Sequence, residues 1–206
     1  MVQQVNPMEA GTSGAGKRKA VCDAAIQAFI EDGYAASMGS IASRAGVAKQ
    51  TLYNQFGSKE QLFAEVIRLN VDAITLSLDG PGFDLRVSLL RFVEAFRYRA
   101  LSQWGLGLHR ALIAEAPRFP KLARLIFETG PASARDALAR FLLSAMESGQ
   151  LRTVDAHFAA ELLMSMVAGF ERVRLLYGVK ADPVALNEKQ RCATIVDCFL
   201  NGLAIE

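Results

Sequence analysis

The chain has 206 residues, of which 51% are hydrophobic and 21% charged, with a formal net charge of +2. This length suffices for a substantial core, and the apolar content excludes a disordered chain. The overall charge neither demands nor excludes a nucleic-acid partner. Locally, however, residues 37–59 carry Arg44, Lys49 and Lys59 with no acid between them, a charge of +3.

The N-terminus has no basic lead followed by an apolar run, so no secretory signal is expected. "GTSGAGKRKA" at 11–20 approaches a phosphate-binding loop, running from Gly11 through four residues to Gly16 and Lys17. Arg18 stands where the magnesium-binding Ser or Thr belongs, and "MVQQVNPMEA" upstream supplies no strand to deliver the loop. The stretch reads as a Gly/Ser arm over 1–16 ending in a Lys17–Arg18–Lys19 cluster.

Apolar residues recur at helical spacing almost throughout. A first helix is expected from Lys17 to Asp32, with Val21, Ala25, Ala28 and Phe29 inward and Gly33 ending it. Ser37 caps a short second helix with Met38, Ile41, Ala42 and Ala45 inward, and "AGV" at 45–47 forms a tight turn. A third short helix runs through Phe56. Ser58 and Gln61 then cap a long fourth helix with Leu62, Phe63, Val66 and Ile67 on its core face.

"DGPG" at 79–82 breaks the chain. Further helices are expected from Asp84 to Leu101, from Trp104 to Ala114, over 119–129, from Pro131 to 148 with Gly149 closing it, and from Asp155 to Tyr177. A last helix opens on Asp182 and Pro183 and ends near Gly202. The apolar run "LLMSMVAGF" at 162–170 is about half a membrane span and is bounded by Glu161 and Glu171, so a soluble, cytoplasmic chain without a membrane partner is expected. Cys22, Cys192 and Cys198 form no metal spacing and read as buried small hydrophobes.

Helix, glycine-containing turn and second short helix over 37–56 are the elements of a helix-turn-helix. Ile41, Ala42, Val47, Leu52 and Phe56 form its small core. Lys49, Gln50, Thr51, Tyr53, Asn54 and Gln55 are left for the outer face. Gln50, Asn54 and Thr51 suit base edges, whereas Tyr53, Ser37, Arg44, Lys49 and Lys59 suit phosphates. "GYAASMGSIASRAGVAKQTLYNQFGSKEQLFAEVI" resembles the DNA-binding domain of TetR-family transcriptional regulators, through Gly33-Tyr34, Ile41-Ala42, Ala45-Gly46-Val47, Thr51-Leu52-Tyr53, Phe56, Ser58-Lys59 and Leu62. One residue departs from that pattern. Ala48 stands where the family usually places a Ser or Thr cap, whose loss costs about 1 kcal/mol. The resemblance implies that Lys17, Arg18 and Lys19, at the start of the first helix, meet the phosphate backbone of double-stranded DNA.

The resemblance therefore implies an all-α chain. A helix-turn-helix domain over 17–62 is joined by the long fourth helix to a helical-bundle ligand-binding and dimerisation domain over 63–206. "LHRALIAEAPRFPKLARLIFETGP" at 108–131 resembles one of the family's C-terminal subfamilies. Implied with it are a homodimer packed through the last two helices, a small-molecule effector, and ligand-controlled release of a repressor from a pseudo-palindromic operator. Large Leu162, Leu163, Met166, Phe170 and Val173 alternate with small Ala159, Ala160, Ala168 and Gly169, a face suited to close helix approach in a dimer. Phe92, Phe96, Trp104, Phe127 and Met164 are candidates to line an apolar pocket, with Arg99 or His109 orienting a polar group. Neither His109 nor His157 has a sequence-adjacent nucleophile or metal partner, so no enzyme, cofactor or metal site is expected. The rival reading is a ligand-binding or adaptor protein of the same fold without operator binding, supported by Ala48 and the modest charge.

Overall fold

Ser37 sits in extended backbone and its hydroxyl accepts from the Ser40 amide at 3.0 Å, which starts α2 (Met38–Arg44). Such local signals set most boundaries in a computed structural model that describes residues 14–78, 84–179 and 187–204. Among these residues there are ten α-helices and no strand. Two compact units divide the chain between Leu62 and Phe63.

The first unit contains α1 (Gly14–Asp32), α2, α3 (Lys49–Phe56) and the start of α4 (Lys59–Thr75). α1 begins three residues before Lys17, so Gly14 to Gly16 belong to a helix rather than to an arm. Glycine lowers helix propensity by only about 1 kcal/mol, which a turn continuing an existing helix tolerates. The phosphate-loop stretch from Gly11 to Ser13 lies outside the described residues. Val21, Ala25, Ala28, Phe29, Met38, Ile41, Ala42, Leu52, Phe56 and Leu62 are buried, as the spacing of apolar residues predicts. Val47 and Ala45 are only half-buried.

The second unit begins within α4 and continues through α5 (Leu85–Ala100), α6 (Gln103–Glu115), α7 (Pro120–Phe127), α8 (Ser133–Glu147), α9 (Ala156–Leu176) and α10 (Glu188–Gly202). Its core packs Leu89, Phe92, Val93, Leu138, Leu142, Leu163, Val167, Val196 and Phe199 together. Full burial of each such side chain contributes about 1.5–3 kcal/mol. Asp84 and Asp155, at the expected starts of the two helices, accept from backbone amides and cap α5 and α9. Arg110 donates to the Leu175 and Leu176 carbonyls, satisfying the C-terminal end of α9.

Several expectations are corrected. Pro131 does not open a helix: Glu128–Ala132 is a π-helical segment between α7 and α8, whose wider turn accommodates a residue without an amide hydrogen. Asp182 and Pro183 lie outside the described residues. α10 instead starts at Glu188 behind a capping box, in which Asn187 Oδ1 accepts from the Gln190 amide at 2.9 Å and Gln190 Oε1 accepts from the Asn187 amide at 3.2 Å. α9 is interrupted at Gly169, whose φ of 12° and ψ of −127° kink it. Cys22 and Cys192 are buried, but Cys198 is exposed because it falls on the outer face of α10. No disulfide links these cysteines.

Candidate nucleic-acid interface and ligand cavity

The turn between α2 and α3 is fixed by backbone bonds. Gly46 adopts φ +65°, its amide donates to the Ser43 carbonyl at 3.2 Å, and the Val47 amide donates to the Ala42 carbonyl at 3.0 Å. This αL glycine cap satisfies the last carbonyls of α2 and turns the chain at once into α3. Ala48 occupies the cap position of α3 in extended backbone and offers no side-chain acceptor. Gly57, at φ +75°, closes α3, and the Ser58 hydroxyl accepts from the Gln61 amide at 3.2 Å to start α4.

Leu52 and Phe56 hold α3 against the core, and Gln55, expected on the outer face, is instead half-buried with its Oε1 enclosed. Lys49, Gln50, Tyr53 and Asn54 are exposed and Thr51 is half-buried. Gln50 Nε2 donates to Asn54 Oδ1 at 3.0 Å, and the Lys49 ammonium stands 5.9 Å from the Tyr53 ring centroid. Two adjacent amides on one face thus offer both donors and acceptors, the equipment that base edges in a major groove require.

Most of the other candidates around this face make contacts within the protein. Lys19 pairs with Asp23 at 2.6 Å, and the hydrogen bond to that carboxylate raises its pKa. Arg44 pairs with Glu31, whose carboxyl is held below its usual range chiefly by that hydrogen bond. The Arg18 guanidinium lies over the Phe56 ring at 4.7 Å. Ser37 uses its hydroxyl in the α2 cap. Lys59 is half-buried at the first turn of α4, and burial pushes its ammonium pKa down. Lys17 is exposed on α1.

Within the second unit, a cavity of about 700 Å³ is lined from α4, α5, α6, α9 and the α7–α8 region. Phe96, Arg99, Trp104, His109, Phe127 and Met164 all line it. Phe92 does not. It is fully buried, stacked on Phe96 with ring centroids 5.9 Å apart, and belongs to the core between helices. Gly105 brings α6 close to α5, since a Cβ there would meet the Arg99 carbonyl oxygen at 2.1 Å. Sequence reasoning missed Arg172, which also lines the cavity. The available signal was its spacing: Ser165, Gly169, Arg172 and Leu176 recur every three or four residues on α9, and all four line the wall.

The small residues of α9 do not form one face with the large ones. Ala159, Ala160, Leu163 and Ala168 are buried inside the unit. Leu162, Met166, Phe170 and Val173 are exposed, Phe170 by 83%. No described helix is long and apolar enough to cross a membrane. Among the described residues no cluster of potential metal ligands occurs.

Two family models match this chain. Residues 21–66 match the N-terminal domain of bacterial regulatory proteins of the tetR family, and residues 87–202 match the AefR-like transcriptional repressor C-terminal domain. The chain belongs to the TetR family. It is similar to the HTH-type transcriptional regulator YezE of Bacillus subtilis, 30% identical over 150 residues that cover 66% of this chain and 73% of YezE. The HTH-type transcriptional activator FasR of Mycolicibacterium smegmatis is 44% identical over 77 residues, 35% of each chain. Among solved structures, a TetR-family regulator from Mesorhizobium loti superposes with a TM-score of 0.73 at 27% identity, covering 94% of this chain and 100% of that one. The flavonoid-responsive regulator FrrA superposes with a TM-score of 0.66 at 31% identity, covering 93% and 98%. The all-α architecture and the helix-turn-helix domain expected from the sequence are therefore those of a DNA-binding transcriptional regulator, a family of regulators and not of enzymes.

Proposed function

We propose that this TetR-family regulator is a cytoplasmic homodimeric repressor, released from a pseudo-palindromic operator by a small, largely apolar ligand. The observation that carries this reading is the cavity of about 700 Å³ in the same chain as a helix-turn-helix, a volume suited to one small molecule. The repressor description of the C-terminal family model supports the sign, while FasR, named an activator, marks the opposite one. FrrA, named as flavonoid-responsive, supports a small-molecule effector.

In this reading α3 enters the major groove. Gln50, Asn54 and Thr51 meet base edges, and Lys49 and Tyr53 meet the backbone, with Ser37, Arg44 and Lys59 around them and Lys17, Arg18 and Lys19 reaching phosphates from α1. The exposed side chains Leu162, Met166, Phe170 and Val173 are covered by the second protomer, since an apolar row of this kind is costly in water. Two-fold symmetry then sets two recognition helices about one DNA turn apart.

The test is selection of DNA from a random library by the purified protein, followed by a salt titration on the enriched sequence and ligand screening against that complex. An inverted repeat, steep salt dependence and ligand-driven release are expected. Enrichment of single half-sites removes the dimer from the reading. No enrichment favours the alternative of a ligand-binding or adaptor protein without operator binding. A reporter carrying the enriched site fixes the sign.

A further inference from the structure

Two arginines of the cavity wall lack what this fold supplies to Arg97. Arg97 is buried and meets Glu171, Glu188 and the Val167 carbonyl. Arg99 on α5 and Arg172 on α9 line the cavity and are half-buried, and the Nε of each is shut off from solvent with no hydrogen-bond partner among the described residues. The acid of the wall is already engaged, because Glu161 accepts from Arg135 at 3.1 Å. Burial lowers the pKa of Arg172 with no acid acting against it. Burial also lowers the pKa of His109, with the positive charge of Arg172 as a second cause, so the two groups sense each other. Around these cations the wall is apolar, with Ile67, Ile74, Phe96, Trp104, Leu108 and Met164.

We propose that the effector is an amphipathic carboxylate, its anionic group paired with Arg172 and Arg99 beside His109 and its apolar body held among Ile67, Phe96, Trp104 and Met164. The inference rests on the reading that this cavity takes the effector. A desolvated guanidinium without a counter-charge is unfavourable, and a carboxylate matches its planar fork with two parallel hydrogen bonds. A neutral ligand of the same shape fills the apolar volume but leaves both cations uncompensated.

Trp104 is the single tryptophan of the chain and lines the cavity, so its fluorescence reports occupancy directly. The full-length protein is titrated with dodecanoate and 4-phenylbutyrate, and with the matched alcohols dodecanol and 4-phenylbutanol. At least one acid is expected to bind about tenfold or more tightly than its alcohol. Arg172→Gln is expected to weaken that acid by about tenfold and to leave the alcohol within about twofold, which also reports an intact cavity. Alcohols that bind as tightly as the acids overturn the carboxylate inference and leave the cavity reading standing, as does an acid preference that survives Arg172→Gln. Four ligands that all leave Trp104 unperturbed overturn the cavity reading and the inference with it. The wild-type comparison of acid with alcohol decides the matter even where the variant does not fold.

Discussion

Arg97 on α5 donates to Glu171 on α9 at 2.6 Å from a position where its side chain is only 5% exposed. Its other donors reach Glu188 on α10 and the Val167 carbonyl, so one guanidinium joins three helices of the second unit. Burial works against its charge, but the hydrogen bonds to Glu188 and Glu171 outweigh that and raise its pKa. Removing Arg97 leaves Glu171, itself largely enclosed, with only the longer contact to Arg191 at 3.6 Å. Arg97→Ala is expected to lower stability by about 3 kcal/mol or more, the range for breaking a buried pair from one side. Replacing the enclosed pair together, with Arg97→Met and Glu171→Leu, is expected to cost markedly less, because the charges left behind, Glu188 and Arg191, attract each other and Glu188 is 71% exposed. Urea unfolding at fixed protein concentration checks both, and equal losses in the two variants would contradict this account.

The cap of α3 offers a gain rather than a loss. Ala48 has φ −68° and ψ 144°, the extended backbone that a capping residue adopts, and no side chain to accept from the first turn. Ala48→Ser supplies that acceptor without altering the backbone. It is expected to stabilise the protein by about 1 kcal/mol, raising Tm by roughly 2–4 °C for a chain of this size. Binding to the selected operator should hold or tighten, since the hydroxyl is also within the chemistry of phosphate contact. Thermal unfolding alongside operator titration separates the two effects, and a lowered Tm would show that the exposed Ala48 is held by something other than a missing cap.

The helix-turn-helix was legible because its determinants are local. Ser37, Gly46, Gly57 and Ser58 act on their own turns, and Leu52 and Phe56 face inward by spacing alone. The cavity was legible only in part, since its wall depends on how separate helices meet. Phe92 and Phe96 share one face of α5 by spacing, yet the packing of α8, α9 and α10 encloses the first and opens the second onto a void. Arg172 resembles any cation near a helix end until three dimensions show it half-buried with no acid among the described residues offsetting that burial. The start of α10 was misplaced because a Pro after an Asp is a strong general signal, whereas the Asn187–Gln190 box is recognised through its pair of reciprocal bonds.

On the recognition face, the hydrogen bond between Gln50 and Asn54 couples the two residues proposed to read bases. Gln50→Ala therefore removes one reader and frees the other. Base preference is expected to relax by about 1–3 kcal/mol at the contacted position and to shift at a neighbouring one. The double variant should show non-additive losses. Lys49→Ala is expected instead to weaken binding to all sequences and to reduce the salt slope by about 1 per contacted site. Repeating the DNA selection with each variant distinguishes these outcomes. An unchanged enriched sequence from Gln50→Ala would remove that residue from base readout.

His109 makes stability depend on pH in a defined direction. Burial and the neighbouring Arg172 hold its pKa below the ordinary 6.5, so the folded state binds the imidazole proton less readily than the unfolded chain does. Between 6.5 and the lower folded value, the unfolded state carries more protons and stability rises with pH. On acidification the contribution of neutral His109 is full above 6.5, declines as pH falls through that window, and changes no further once the folded-state imidazole is also protonated. His109→Gln removes the titration and should flatten this part of the profile. The carboxylates that are held low, Glu188 by the Arg97 hydrogen bond and Asp155 by the Phe158 amide, lose their contributions only at more acidic pH, below their ordinary 4.5 and 3.8. Unfolding free energies measured in steps from pH 7.5 to pH 5 thus isolate the histidine. A His109→Gln profile that falls as steeply as the wild type would assign the dependence elsewhere.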